Sequence, residues 1–200
     1  MPVNSEIFRI YRYLFYGSPL KMEVLNTPLD GVLLIKPKVF GDPRGYFLET
    51  WQKQRYSEFG IDFEFVQDNH SMSTKGTLRG LHYQKIHPQG KLVMVSYGEV
   101  FDVAVDIRKG SPTFGQWYGT ILSQENQHQL WIPPGLAHGF LVLSDIALFN
   151  YKCTDYYHPE SECSIRHDDS QLSIKWPIIS CNLNISEKDK KAISLRELMK

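Results

Sequence analysis

The sequence predicts an all-β protein, built as an antiparallel sandwich or barrel with a few short helices. Three observations lead to this fold class. Segments in the middle of the chain alternate apolar and polar side chains with a period of two, which is typical of half-buried strands. Proline and glycine separate the segments at residues 41–45, 87–90 and 133–135. Helical patterns are sparse along the chain.

The clearest strands are predicted at residues 91–97, 101–108 and 147–153. In the last of these, the odd-numbered side chains share one face and the even-numbered side chains share the other. Residues 97–99, Tyr-Gly-Glu, are predicted as the turn that joins the first two strands. Many short strands separated by turns favour a sandwich or a barrel.

Two helices are predicted, a short one at residues 52–59 and a longer one at residues 186–199. The second begins with Ser186, three residues before Asp189, which resembles a capping box. Further along it, Leu195 and Met199 are spaced one helical turn apart.

Composition limits the class of protein. Two hundred residues fit one domain. The 22 basic and 22 acidic side chains give a formal net charge of zero, which argues against a nucleic-acid binder. Three cysteines without a CxxC pair, Cys153, Cys163 and Cys181, argue against a disulfide framework or a zinc site. They favour a reducing, cytoplasmic compartment.

Residues 1–21 are predicted as an N-terminal extension or arm ahead of a single domain at residues 22–200. Their apolar stretch at 7–16 is interrupted by Arg9 and Arg12. It is too short and too charged for a membrane span, and it lacks the pattern of a signal peptide. Two interpretations stay open: an upstream start codon before Met22, or an arm that packs on the domain or on a partner.

Two segments carry candidate chemistry: LRGLHYQ at 78–84, followed by QGKLV at 89–93, and WIPPGLAHGF at 131–140. The last resembles the second half of the cupin jelly-roll signature, in which a Pro-Gly turn precedes a histidine. Metal-binding cupins also carry a first motif with two histidines and a nearby glutamate. Here that motif offers only His82, which is a poor divalent-metal site, so no metal is predicted.

Over residues 22–200 the chain resembles the dTDP-4-dehydrorhamnose 3,5-epimerase family. The matching stretches are residues 39–49, 65–71, 78–84, 98–108, 111–115, 130–143 and 151–157. The resemblance implies a cupin-like antiparallel jelly roll and a homodimer in which an N-terminal segment reaches the partner. It implies a cofactor-free isomerase that converts dTDP-4-dehydro-6-deoxyglucose to dTDP-4-dehydrorhamnose in dTDP-rhamnose synthesis. The sequence also lacks a glycine-rich dinucleotide fingerprint.

Epimerisation beside a ketone needs a base, a group that stabilises the enolate oxygen, and an acid on the opposite face. By resemblance His82 is the base, Lys91 meets the oxyanion, Tyr151 returns the proton, and Asp189 orients His82. Tyr157 is a weaker alternative donor. Purely structural roles remain possible for three of these residues. Asp189 could serve merely as a helix cap, Lys91 could lie in solvent at a sheet edge, and Tyr151 could be a core side chain.

Seven further residues match substrate-binding positions of the family. Arginine suits phosphate because its donors form a planar fork. Arg44, Arg79 and His138 are assigned to the diphosphate or the sugar oxygens. Gln67, Asn69 and Glu49 are assigned to the thymine or sugar edges, and Phe47 is assigned to stacking on the base.

Other functions stay open beside the 3,5-epimerase. A single-site 3- or 5-epimerase of another nucleotide deoxysugar would use the same base, acid and enolate. A 3,4-ketoisomerase on a related jelly roll would shift the carbonyl instead. A sugar-binding jelly roll without activity is the third alternative. The retention of Lys91 and Tyr151 favours epimerisation by resemblance.

Overall fold

Strands make up most of the regular structure in residues 22–200, the part of the chain that this computed structural model describes. Its thirteen strands are β1 (Glu23–Asn26), β2 (Leu33–Lys36), β3 (Val39–Asp42), β4 (Gly45–Leu48), β5 (Gln67–Thr74), β6 (Leu78–Gln84), β7 (Lys91–Tyr97), β8 (Glu99–Asp106), β9 (Trp117–Ser123), β10 (Gln129–Ile132), β11 (Leu136–Val142), β12 (Ile146–Cys153) and β13 (Glu162–Ser164). The helices are α1 (Lys53–Ser57), α2 (Glu187–Lys190) and α3 (Leu195–Leu198). The predicted arm at 1–21 lies outside the described residues.

The strands form two antiparallel sheets and a separate hairpin. The larger sheet has the order β1-β2-β10-β7-β12-β5, and the smaller has the order β13-β6-β11-β8-β9. Among residues 22–200, strands β3 and β4 pair only with each other, around the turn predicted at residues 41–45. Strands that are neighbours in a sheet are mostly distant in sequence, as in a jelly roll. The predicted all-β, cupin-like jelly roll is confirmed. None of the helices in residues 22–200 has the length and apolarity needed to cross a membrane.

The main core fills the space between the two sheets. Val93, Val95 and Phe149 of the larger sheet pack against Ala104 and Phe140 of the smaller one, and all five are buried. Because side chains alternate along a strand, every second residue of β7, β8, β11 and β12 points into this interior. Polar residues at the same parity must therefore also point inward, and these positions hold the candidate site.

The predicted strand at 91–97 coincides with β7, and the predicted turn around Gly98 is confirmed. The two strands that this turn joins do not pair with each other, however. Strand β7 pairs with β10 and β12, whereas β8 pairs with β11 and β9. The turn thus carries the chain from one sheet to the other. The buried faces of β7 and β8 pack against each other across the core. A period-two pattern is the same for two strands that face each other across a core and for two strands that are hydrogen-bonded neighbours in one sheet.

The prediction of a single helix at residues 186–199 is wrong. Helix α2 ends at Lys190, and the chain then becomes extended. Ile193 donates its N–H to the carbonyl of Ser164 at 3.1 Å, and its own carbonyl accepts from the N–H of Arg166 at 2.9 Å. These bonds to the neighbouring strand segment replace helical ones. Helix α3 then starts at Leu195, with Ser194 as the N-cap of a complete capping box. The predicted short helix at 52–59 is confirmed as α1.

Strands β6 and β11 approach each other unusually closely at two glycines. A Cβ atom added to Gly139 would lie 2.6 Å from the backbone oxygen of Arg79 and 3.1 Å from the Cα of Gly80. Gly80 itself has a φ of +115°, which favours glycine. The contact therefore excludes side chains at both positions, between the candidate residues Arg79 and His82 on β6 and beside His138 on β11.

Replacing Gly139 by alanine is expected to destabilise the protein by about 1–3 kcal/mol, because the added methyl group meets backbone atoms that cannot rotate away. Urea unfolding followed by circular dichroism measures the change in midpoint. Gly41→Ala is the matched control, since its Cβ would meet only a backbone oxygen at 3.9 Å. Equal midpoints for Gly139→Ala and the unmodified protein would show that the strands can separate at no cost.

Candidate active site

A cavity of about 80 Å³ opens between the two sheets, at the end where β6, β7, β12 and β13 meet. Side chains with acid–base chemistry line it, among them His82, Lys91, Tyr151, Tyr157 and Glu162. Three of the four predicted catalytic residues are therefore in one cavity, although 69 positions separate His82 from Tyr151 in the sequence.

His82 points into the barrel from β6. Its Cα lies opposite that of His138 on β11, and directly opposed residues of an antiparallel pair share a face. Nε2 of His82 lies 2.6 Å from Oδ1 of Asp189, while 28% of the imidazole side chain remains exposed. An ionised carboxylate only accepts hydrogen bonds, so this nitrogen carries the hydrogen. In the neutral imidazole the other ring nitrogen has the lone pair, and it can take a proton.

Asp189 reaches His82 from α2, whose first turn is capped by Ser186: the Asp189 N–H donates to the Ser186 hydroxyl at 3.1 Å. The Asp189 carboxylate is buried, which opposes its ionisation. The hydrogen bond from His82, the His82 charge, and hydrogen bonds from Ser186 and Gly80 outweigh burial and hold the Asp189 pKa below its ordinary value. Asp189 thus lies within the capped turn while its carboxylate binds His82.

Lys91 and Tyr151 come from the neighbouring strands β7 and β12. Lys91 has the same parity as the buried Val93 and Val95, so it points into the barrel and not into solvent at a sheet edge. Its Nζ lies 5.9 Å from the centroid of the Tyr151 ring. Burial lowers the pKa of Lys91, against the opposing charge of Glu162. Burial raises the pKa of Tyr151, so its phenol keeps its proton at neutral pH.

Glu162 is a residue of this cavity that the sequence interpretation missed. Its carboxylate accepts a hydrogen bond from the Tyr157 hydroxyl at 2.6 Å and forms an ion pair with Lys188. Burial opposes its ionisation, but the bonds from Lys188 and Tyr157 outweigh burial and lower its pKa. The same bond raises the pKa of Tyr157 to about 12. Tyr157, the alternative donor, is therefore committed to Glu162.

His138 also occupies the interior, and one of its ring nitrogens is paired. Its Nε2 lies 2.9 Å from Oδ2 of Asp102 on β8, and both side chains are buried. The ring stacks on Phe149 of the opposite sheet, with centroids 5.9 Å apart. The second Asp102 oxygen has no hydrogen-bond partner among residues 22–200. The pair places a polar group in the middle of the barrel, next to the strand that carries His82.

Three other predicted binding residues surround Tyr151. Asn69 lies opposite it on β5, and its amide oxygen accepts a hydrogen bond from Gln67 at 3.1 Å. Gln67 in turn accepts from the backbone N–H of Tyr157 at 2.9 Å. Arg79 donates to Ser73 at 3.0 Å, and its charge opposes the burial that raises the Tyr151 pKa.

None of the seven predicted binding residues lines this cavity, and the remaining three lie on the β3–β4 hairpin or directly after it. Arg44 and Phe47 lie on the β3–β4 hairpin, where 90% of the Arg44 side chain and 51% of Phe47 are exposed. Glu49 forms a two-pronged ion pair with Arg55 of α1, with N–O distances of 2.9 and 2.5 Å. Within residues 22–200 of one chain, the hairpin is thus separate from the His82 cavity.

Comparison with known proteins identifies the family. The family model for dTDP-4-dehydrorhamnose 3,5-epimerase matches residues 26–197. The dTDP-4-dehydrorhamnose 3,5-epimerase of Methanothermobacter thermautotrophicus is 53% identical over 174 residues, which cover 86% of this chain and 94% of the relative. A crystal structure of a dTDP-6-deoxy-D-glucose-3,5-epimerase from Legionella pneumophila, in complex with dTDP-4-keto-L-rhamnose, superposes with a TM-score of 0.86 at 58% identity. It covers 89% of this chain and 97% of the other.

A more distant structure shows that the fold also serves single-site epimerases. A 3'-monoepimerase from Streptomyces bikiniensis, in complex with dTDP-quinovose, superposes with a TM-score of 0.80 at 34% identity, covering 85% of this chain and 86% of the other. The higher identities belong to 3,5-epimerases, and their matches extend over nearly the whole length of both proteins. With this sequence similarity and this jelly roll, the chain belongs to the dTDP-4-dehydrorhamnose 3,5-epimerase family, a family of isomerases.

Proposed function

We propose that this chain epimerises C3 and C5 of dTDP-4-dehydro-6-deoxyglucose and so forms dTDP-4-dehydrorhamnose in dTDP-rhamnose synthesis. The observation that carries the proposal is the His82–Asp189 pair, which faces a cavity that also holds Lys91 and Tyr151. These groups meet the needs of the reaction: a base, a cation for the enolate oxygen, and an acid. No cofactor or metal is assigned a role.

His82 begins the reaction by removing the proton from the carbon beside the ketone. The C–H bond breaks, its electron pair forms the carbon–carbon double bond of the enolate, and negative charge moves to the C4 oxygen. The imidazolium that results is stabilised by the Asp189 carboxylate, at 2.6 Å. The Lys91 ammonium is positioned to meet the oxyanion, and its lowered pKa makes it a stronger hydrogen-bond donor.

Tyr151 completes each epimerisation by donating its phenolic proton to the opposite face of the enolate carbon. A new C–H bond forms, the C4 ketone returns, and the configuration at that carbon is inverted. His82 then holds one additional proton and Tyr151 lacks one, so proton exchange with water restores both residues. Repetition at the second carbon beside the ketone gives the doubly inverted product.

Incubation of the substrate with enzyme in deuterated water tests the proposal directly. Deuterium at both C3 and C5 is the expected result, because each centre loses its original proton and regains one from exchangeable groups. Label at one carbon only would instead assign a monoepimerase such as the one in Streptomyces bikiniensis. A product with a displaced carbonyl would assign a 3,4-ketoisomerase, and an absence of label with no turnover would leave only sugar binding.

The diphosphate and the nucleoside are proposed to bind through Arg79, His138, Gln67 and Asn69, all on strands next to the cavity. Cys153, Cys163 and Cys181 are free thiols, which supports a reducing, cytoplasmic location. Residues 22–200 are proposed to be one catalytic domain, with residues 1–21 as an additional arm.

We further propose that the working form is a homodimer in which the β3–β4 hairpin reaches the partner's cavity. The hairpin projects exposed Tyr46 and Phe47 beside Arg44. The outer surface of the larger sheet also exposes Met72 and Tyr97, and apolar surface of this kind is typical of an interface. Contributions from a second copy would bring Arg44, Phe47 and Glu49 to the substrate.

Mixing two inactive variants tests this arrangement. His82→Ala and a double variant, Arg44→Ala with Phe47→Ala, are each expected to be inactive or nearly so. If the hairpin acts on the partner, a mixed dimer has one site with every residue intact. Random exchange of subunits then restores about a quarter of the normal activity. No recovery after exchange, or a monomer by light scattering at micromolar concentration, would contradict the proposal.

A further inference from the structure

Two histidines and an aspartate form a cluster outside the His82 cavity, at its rim. The rings of His87 and His158 stack with centroids 4.4 Å apart and planes 22° apart. Nδ1 of His87 lies 3.7 Å from a carboxylate oxygen of Asp155. One potential ligand atom from each residue can be chosen so that all three lie within 4.8 Å of one another. Within residues 22–200 this is the one such group of His, Cys, Asp and Glu.

The backbone around the cluster is held by side-chain amides that do not belong to it. The amide nitrogen of Gln84 donates to the carbonyl of His87 at 2.7 Å, and its oxygen accepts from the N–H of His158 at 2.7 Å. Gln89 donates to the carbonyl of Asp155 at 2.8 Å. Two loops that are distant in sequence are therefore fixed next to each other, and the three ligand side chains project from them side by side.

We propose that His87, Asp155 and His158 bind one divalent transition-metal ion of the zinc type. Neutral imidazole nitrogens with a carboxylate oxygen are a ligand set that zinc favours. Zinc–nitrogen bonds of about 2.0–2.1 Å require the three ligand atoms to draw together by rotation of side chains, of which His87 is exposed and the other two are half-buried. Water completes the site, since Glu160, whose Oε1 lies 3.3 Å from Nδ1 of His158, is not in the group whose ligand atoms all lie within 4.8 Å.

An ion at this position would affect the entrance of the His82 cavity. Pro88 and Gln89 follow His87 directly, Tyr157 precedes His158, and all three residues line the His82 cavity. An ion bound across the two loops would fix their separation, and with it the width of the entrance. The ion would not take part in the chemistry, because His82 is not one of its ligands.

Zinc titration of the metal-free full-length chain by isothermal calorimetry tests the site. One Zn²⁺ per chain is expected, together with a higher melting temperature, because the ion binds the folded form. His158→Ala and Asp155→Asn are each expected to weaken zinc affinity by more than about tenfold. The matched control is His167→Ala, a histidine outside the cluster, which is expected to bind zinc as the unmodified protein does.

Unchanged zinc affinity in His158→Ala would overturn the proposal, as would equal loss in His167→Ala. Loss of affinity in His82→Gln but not in His158→Ala would place the ion in the catalytic cavity, which also overturns it. His158→Gln is a second variant in case the alanine variant folds poorly. It keeps a polar side chain in place of the imidazole, and zinc affinity is again expected to fall.

Discussion

Replacement of His82 by alanine is expected to reduce inversion and hydrogen exchange at C3 and C5 together, by at least roughly 10²- to 10⁴-fold. His82 lines the cavity, and Asp189 holds one of its ring nitrogens at 2.6 Å, which leaves the other to act as the base. Without it no group is positioned to remove the first proton, and every later step depends on the enolate. Lys91 cannot compensate, because an ammonium has no lone pair until it loses a proton.

The measurement follows product formation and, separately, deuterium incorporation into substrate and product. His128→Ala is the matched control, a half-buried histidine that lies near Lys36 and Glu23, away from the cavity. Because His82→Ala leaves Asp189 buried without its partner, His82→Gln provides a second variant that can still donate to this carboxylate. Exchange that persists at the normal rate in both His82 variants, with folding intact, would show that another residue is the base.

The inward orientation of the cavity residues could be predicted from the sequence, because it depends only on parity. Tyr151 is on the same strand face as Phe149 and Cys153, and Lys91 is on the same face as Val93 and Val95. Burial of these apolar residues therefore fixes the direction of the two polar side chains. Parity does not indicate which strand lies next to which in the sheet. The pairing of β7 with β12 joins segments that are distant in sequence, and the local pattern at residues 91–97 carries no information about it.

Glu162 shows a second limit. It lies in the three-residue strand β13, after a short 3-10 turn at Pro159–Ser161, and it has no motif of its own. The stretch at residues 151–157 that resembles the family ends five residues before it. The available signal was an acidic residue close behind two tyrosines, Tyr156 and Tyr157, which is too common a pattern to assign a role. Only the fold brings Glu162 to the cavity.

The C-terminal segment shows a third limit, where local preference and tertiary pairing compete. The pattern from Ser186 to Met199 suits one helix, yet the extended hydrogen bonds of Ile193 divide it into α2 and α3. The resemblance nevertheless pairs Asp189 with His82, and the two are in contact because the position of Asp189 depends on the first turn alone. A short helix capped by Ser186 is sufficient to present one carboxylate to His82.

Replacement of Tyr151 by phenylalanine is expected to separate exchange from inversion. If Tyr151 only returns the proton from the opposite face, His82 in this variant can still remove a proton and return it, or a deuteron, to the same face. Exchange with deuterated water would then persist while inversion falls by roughly 10²- to 10⁴-fold. The substitution removes one hydroxyl and keeps the ring beneath Lys91, so the packing against Phe149 is retained.

Asp189→Asn supplies the contrast that makes the ratio informative. An asparagine can hold the imidazole but cannot stabilise its positive charge, so proton removal slows and exchange and inversion decline together. The exchange-to-inversion ratio is therefore expected to rise steeply in Tyr151→Phe and to stay near normal in Asp189→Asn. Tyr157→Phe is the matched control for loss of a hydroxyl, because that hydroxyl is already donated to Glu162. If Tyr151→Phe abolishes exchange as completely as His82→Ala, Tyr151 takes part in proton removal and the roles assigned to the two residues are wrong.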